Sequence, residues 1–189
     1  MRKVLTFYIV MCFSCTAYAQ LGGESTYQFL NLISSPRQAA LGGKSITNVD
    51  YDVTQALYNP ATINVDMDNQ LAVNYSNYLG DISYGTAAYA YTWDRRVQTF
   101  HIGMTYVNYG TFDGYDENGI STGEFSGSEA AFSAGYATQI GYSDFYIGAN
   151  LKLISSKLEQ YNSFGIATDV GLLYINEYLD FNAALVIRN

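Results

Sequence analysis

The fold class is decided by one stretch, residues 145–155, which reads FYIGANLKLIS. Its odd positions up to 153 are apolar, whereas its even positions up to 152 are small, polar or amphipathic. Successive side chains of a strand point to opposite faces, so the stretch predicts a strand with one apolar and one wettable face. Its length suits the roughly 9–11 residues that a tilted strand needs to cross a bilayer. The pattern predicts one strand of an antiparallel outer-membrane β-barrel, with its odd-numbered face in lipid.

The same alternation extends from residue 69 to the end of the sequence, and residues 69–189 predict about seven strands of an all-β barrel. The second strand changes phase, which predicts a bulge near residues 85–88. The charged residues of the later strands fall on the wettable parity, away from lipid. The predicted strands are 69–78, 82–93, 97–107, 129–140, 145–155, 164–175 and 179–188, and the charged residues are Lys152, Asp169, Asp180 and Arg188.

The first 19 residues have the features of an export signal. Two basic residues precede a short apolar run, and the Ala-Tyr-Ala triplet at 17–19 offers a cleavage site. Cleavage there removes Cys12 and Cys15, the two cysteines of the chain, and leaves a formal net charge of −10. An acidic protein repels phosphate backbones, so nucleic acid is not an expected partner. We expect an exported outer-membrane protein without disulfides.

Residues 20–68 predict a compact helical segment, here called the hatch segment. Ser35 is a suitable cap for a helix that begins at Pro36. Gly42 and Gly43 then suit a left-handed helix terminus, which is a more economical interpretation than a ligand-binding loop.

Asp52 is a suitable cap for a second short helix, which is predicted to run through Leu57. It ends there because Pro60 disfavours helical geometry at Asn59. The triplet of Asn59, Pro60 and Ala61 has two interpretations. It is either a gating or docking element of the hatch segment, or a plain helix stop with a polar turn.

Loop lengths predict which end of the barrel faces outward. The connection 108–128 is predicted to be long and 156–163 moderate, whereas the connections on the opposite side are tight. Bacterial barrels keep short turns in the periplasm, so the hatch segment is expected at the periplasmic end or in the lumen. The acidic part of the long loop lacks calcium-ligand spacing, which favours a solvated acidic surface loop over a calcium site. As an extracellular loop, it is the predicted place for a partner to bind. Its candidate residues are Asp113, Tyr115, Asp116 and Glu117.

Catalytic chemistry is not predicted. His101 is the only histidine, so neither a metal triad nor a serine–histidine pair has a basis, and we expect polar filler in the lumen. Lys152 and Asp169 are expected to form a structural ion pair rather than an acid–base pair. The sequence predicts no enzyme, no metal and no cofactor.

Five segments carry a family resemblance. The blocks 36–43 and 55–61 resemble the N-terminal hatch of the FadL-like outer-membrane barrels. The amino-acid sequences at 20–30, 66–71 and 109–113 are similar to those of the PorV/PorQ group, which serves type IX secretion in Bacteroidota. This resemblance implies a barrel of about fourteen strands when complete. It also implies partners: outer-membrane lipid and lipopolysaccharide, the PorU sortase, PorV and PorZ.

An odd number of strands does not close an antiparallel barrel, so we expect the remaining strands from a longer chain or from other chains. Three hypotheses remain open. The first is a scaffold of the type IX attachment complex, and the second is a FadL-like channel for hydrophobic small molecules. The third is a secreted β-sandwich that binds partners.

Overall fold

The computed structural model describes residues 26–94 and 98–188. Seven strands form one antiparallel sheet in which each strand pairs with the next along the chain. The sheet is curled into half a barrel and accounts for most of the described residues. The predicted all-β barrel class is confirmed. The strands are β1 (Leu71–Asn77), β2 (Ser83–Asp94), β3 (Gln98–Tyr115), β4 (Ser121–Gln139), β5 (Phe145–Leu158), β6 (Tyr161–Asn176) and β7 (Phe181–Arg188).

Strand β5 shows how the alternation is used. Leu151 and Leu153 are about half exposed on the convex outer face, whereas Lys152 and Ile154 are buried on the concave inner face. The face of β5 that carries the polar side chains is therefore buried, and its apolar face is exposed. In a water-soluble core the apolar face would be the buried one. Strands β3 and β6 share this arrangement, since Ile102 and Ile166 are exposed outward.

The hatch segment covers the inner face. Its described part, residues 26–68, contains one α-helix, α1 (Pro36–Ala40), and short 3-10 helices at Gln28–Asn31, Val53–Leu57, Pro60–Thr62 and Val65–Met67. The Ser35 side chain accepts a hydrogen bond from the Gln38 amide, and the Asp52 side chain accepts one from the Thr54 amide, so both predicted caps are confirmed. No described helix is long and apolar enough to span a membrane.

A buried cluster fastens the start of the hatch segment to the sheet. Phe29 packs with inward side chains of β3 to β6, and flanking aromatic and aliphatic groups close around it. These inward side chains are Val107, Ala131, Ile154 and Ala167. Burying a Phe side chain stabilises such a contact by about 1.5–3 kcal/mol.

The bulge predicted at residues 85–88 is wrong. The register of β1 with β2 is regular there, and the described pairs of β2 with β3 shift register only between Thr92 and Asp94. Ile82 and Tyr84 change phase because they face inward and pack on the cluster around Phe29. These apolar side chains point inward because the hatch segment covers them. The alternation within a single strand does not indicate such a contact.

The predicted long connection at 108–128 and the predicted moderate one at 156–163 are also wrong, because both stretches are mostly strand. Strands β3 and β4 continue through most of 108–128 and leave a turn at 116–120, while β5 and β6 leave a two-residue turn at 159–160. The asymmetry of the barrel therefore resides in overhanging strands rather than in loops. At the other end, Asp180 lies in the turn before β7 rather than in the strand. The predicted leader falls outside the described residues.

Candidate functional site

The triplet of Asn59, Pro60 and Ala61 is seated on the inner face of the sheet. Gly148 of β5 and Gly171 of β6 are direct cross-strand partners, and together they form a notch without side chains. A Cβ atom on Gly148 would lie 2.4 Å from the Pro60 carbonyl oxygen, and one on Gly171 would lie 2.1 Å from Asn59 Oδ1. Only glycine lets the hatch backbone approach this closely.

Hydrogen bonds hold the triplet in this notch. Asn59 is fully buried; its Oδ1 accepts from the Ala61 amide at 2.9 Å, and its Nδ2 donates to the Ile46 carbonyl at 2.7 Å. From the sheet, Asn150 Nδ2 donates to the Ala56 carbonyl at 2.7 Å. The 3-10 helix at Val53–Leu57 ends just before the triplet, as the helix-stop interpretation predicts, and Asn59 is the N-cap of the next 3-10 helix, at Pro60–Thr62. The same residues are also a contact of the hatch segment with the wall.

Gly42 and Gly43 lie away from this contact. Both have positive φ angles, 87° and 115°, just beyond α1. The Gly43 amide donates to the Gln38 carbonyl at 2.8 Å, which is the pattern of a left-handed helix terminus. The structure thus places them as helix terminators, separate from the triplet.

A buried polar row runs across the inner face beneath the hatch segment. His101, Gly135, Asn150, Asp169 and Arg188 are successive register partners from β3 to β7. His101, Asn150 and Asp169 are each at most 2% exposed. Among the described residues, neither ring nitrogen of His101 has a hydrogen-bond partner. The predicted inward position of His101 agrees with the structure.

Asp169 is the centre of the charges in this row. Lys152 Nζ forms an ion pair with Asp169 Oδ2, and Arg188 Nε lies 3.9 Å from the same oxygen. The predicted ion pair of Lys152 and Asp169 is therefore present. The buried Lys152 and the partly buried Arg188 thus share one fully buried carboxylate. Without Asp169, both positive charges would lack a counter-charge in the interior.

Arg188 connects this charge cluster to the hatch segment. Its Nη2 donates to the Leu30 carbonyl at 3.2 Å, and its guanidinium lies 5.4 Å from the ring centroid of Tyr58. Burial raises the pKa of Tyr58, whose hydroxyl donates to the Leu32 carbonyl and accepts from the Ser34 amide. Partial burial and the charge of Arg188 lower the pKa of Lys44.

The predicted partner loop is divided between two elements. Asp113 and Tyr115 belong to β3, and Asp116 and Glu117 lie in the turn at 116–120. The sequence prediction of a loop is therefore wrong for the first two, because the overhanging strands include them.

The turn is organised by one carboxylate. Asp116 Oδ1 accepts from the amides of Ile120 at 2.8 Å and Asn118 at 2.9 Å. These hydrogen bonds to the charged form, that of Ile120 first, hold the pKa of Asp116 below its ordinary value of 3.8. Gly119 completes the turn with a φ of 79°. Tyr115 and Ile120 beside it are largely exposed.

Two features of the site were missed by the sequence analysis. The paired glycines Gly148 and Gly171 were assigned to the wettable parity without a partner in the hatch segment. The pair Asp113 and Glu124, which lie directly opposite each other on β3 and β4, was hidden inside a predicted loop. Neither pairing has a local signal, because each joins residues that only the strand register brings together.

Within residues 26–94 and 98–188, no group of three or more His, Cys, Asp or Glu side chains is placed to hold a metal ion. Comparison of the chain with protein-family models, with curated proteins and with solved structures gives no significant match.

Proposed function

We propose that this protein is an outer-membrane component of the type IX secretion system, a PorQ-like member of the PorV/PorQ group. Its role is to scaffold the cell-surface attachment complex with the PorU sortase, PorV and PorZ. The observation that carries the proposal is the fastening of the hatch segment to the barrel wall through Gly148 and Gly171. Because the hatch segment is packed directly on the barrel wall, the two are expected to move together, as a scaffold for other proteins requires.

The outer face supports a position in lipid. Large apolar side chains such as Ile102, Leu153 and Ile166 are 54–70% exposed there. Exposing a continuous apolar face to water is unfavourable by roughly 25 cal/mol per Å², whereas hydrocarbon accommodates it. A half-barrel of this kind is compatible with an outer membrane location.

The fastened hatch segment also favours a scaffold over a channel. A channel for hydrophobic molecules calls for an apolar cavity between hatch and wall. Of the described cavities, one of about 430 Å³ between the hatch segment and the strand ends has many polar lining residues, among them Asn64, Asp66 and Gln139. An apolar cavity of about 450 Å³ lies instead among outward side chains such as Tyr89 and Phe132.

The test is a clean deletion in the source bacterium, complemented with the gene on a plasmid. We expect type IX cargo to lose its lipopolysaccharide modification and to be released, and complementation to restore both. Fractionation should place the protein in the detergent-soluble membrane fraction. Normal cargo modification in the deletion strain would refute the scaffold, and a selective loss of fatty-acid uptake would support the channel.

A further inference from the structure

The overhanging parts of β3 and β4, residues 109–126, form a two-stranded ribbon that stands beyond the rest of the sheet. The pairing of β2 with β3 ends at Asn108, and that of β4 with β5 ends at Gly127. Within the described part of the chain, no strand pairs with either outer edge of the ribbon beyond its base, where the Glu159 amide donates to the Ser126 carbonyl at 3.0 Å. Unpaired strand edges present rows of amides and carbonyls that accept a further strand.

The ribbon has little support of its own. Phe112 and Phe125 stack on one face with ring centroids 5.4 Å apart, yet both remain about 40% exposed. Isolated two-stranded ribbons are marginally stable in water. Another surface that covers the aromatic face and an edge would therefore stabilise it.

The opposite face carries two like charges in register. Asp113 and Glu124 are direct cross-strand partners, and like charges at this spacing are destabilising. Neither carboxylate forms an ion pair with a Lys or Arg of the described residues. The ribbon sequence holds four carboxylates and no basic residue. A cation from outside the ribbon would convert this repulsion into attraction.

We propose that the ribbon binds an extended, basic segment of a protein partner by strand addition at a free edge. Lysine or arginine side chains of that segment would lie against Asp113 and Glu124, and backbone hydrogen bonds would supply affinity. This inference rests on the proposed scaffold function and adds the chemistry of its partner. Lipopolysaccharide phosphates are repelled by the same carboxylates, so a polypeptide is the occupant.

The test uses the full protein in lipid nanodiscs and a labelled seven-residue peptide of alternating lysine and valine. The double variant Asp113→Asn/Glu124→Gln removes the like charges and keeps the side-chain shapes. Asp144→Asn/Glu177→Gln makes the same charge change at exposed turns on the other end of the sheet. We expect the first variant to lower peptide affinity on the order of tenfold and the second to leave it unchanged.

Three results would overturn the inference. One is no binding of the lysine peptide, another is an equal loss in both double variants, and the third is binding of lipopolysaccharide vesicles in place of the peptide. The same ribbon variant, placed in the deletion strain, separates this inference from the scaffold function. If the ribbon variant loses peptide binding while cargo modification stays normal, the ribbon does not bind the partner of the scaffold. The scaffold function itself would then stand.

Discussion

At the scale of single residues, Gly148 and Gly171 decide how closely the hatch segment approaches the wall. A Cβ atom on Gly148 would meet the Pro60 carbonyl group at 2.4 Å, a backbone contact that has no flexible side chain to move. We expect Gly148→Ala to lower the free energy of unfolding by about 1–3 kcal/mol, the usual effect of overpacking. Trypsin should also cleave faster at Arg37, an exposed residue of the hatch segment.

Denaturant titration of the reconstituted protein measures the first effect and a digestion time course the second. Ala149→Val is the matched control, because it adds bulk to the outer face of the same strand. Equal effects of the two substitutions on Arg37 cleavage would contradict a specific contact between hatch and wall.

Asp169 gives a second prediction at this scale. Asp169→Asn leaves both Lys152 and Arg188 without a counter-charge, and breaking a buried ion pair costs about 3–5 kcal/mol. Lys152→Met should cost less, because the carboxylate keeps Arg188 as a neighbour at 3.9 Å. The measurement is the free energy of unfolding of each variant.

The control is Asp180→Asn, which alters an exposed carboxylate in a turn and should change stability by less than about 0.5 kcal/mol. A larger loss for Lys152→Met than for Asp169→Asn would contradict the central position of the carboxylate.

At the scale of elements, the turn at 116–120 predicts a pH dependence. The folded pKa of Asp116 lies below its ordinary value, so its carboxylate contributes stability to the turn above pH 3.8. That contribution is lost as the pH falls through the folded pKa. We expect the carboxyl carbon of Asp116 to titrate with a midpoint below 3.8, measured by NMR on protein with labelled aspartate. Asp116→Asn assigns the signal, and a midpoint at or above 3.8 would contradict the prediction.

The individual strands also show which parts of the fold the alternation of side chains predicts and which it does not. The alternation at 145–155 predicts β5 and its two faces, because each side chain there meets one environment along the whole strand. The pattern fails at Ile82 and Tyr84, where the inward face meets the apolar start of the hatch segment. It also fails in the ribbon 109–126, since glycines and carboxylates there imitate a loop. Because both faces of the ribbon are exposed, its side chains do not alternate regularly between apolar and polar, and the period of two is lost.

At the scale of the whole molecule, the distribution of side chains is inverted relative to a water-soluble sandwich. Charges such as Lys152 and Asp169 are buried under the hatch segment, whereas Leu151 and Leu153 are exposed on the convex face. A sandwich would bury the second pair and expose the first. The hatch segment explains why the inner face is polar yet covered: its backbone groups, such as the Ala56 carbonyl, pair with side chains of the wall.

The inversion leads to a prediction that separates lipid from water outside the sheet. Leu151 lies in the outer face and is 49% exposed. In hydrocarbon, Leu151→Lys should lower the free energy of unfolding in lipid vesicles by about 2–4 kcal/mol. In water, an exposed substitution of this kind changes stability by less than about 0.5 kcal/mol. Tyr142→Lys is the matched control, because Tyr142 is fully exposed in the turn at 140–144. Equal, small effects of both substitutions on the free energy of unfolding would contradict the contact of the outer face with lipid.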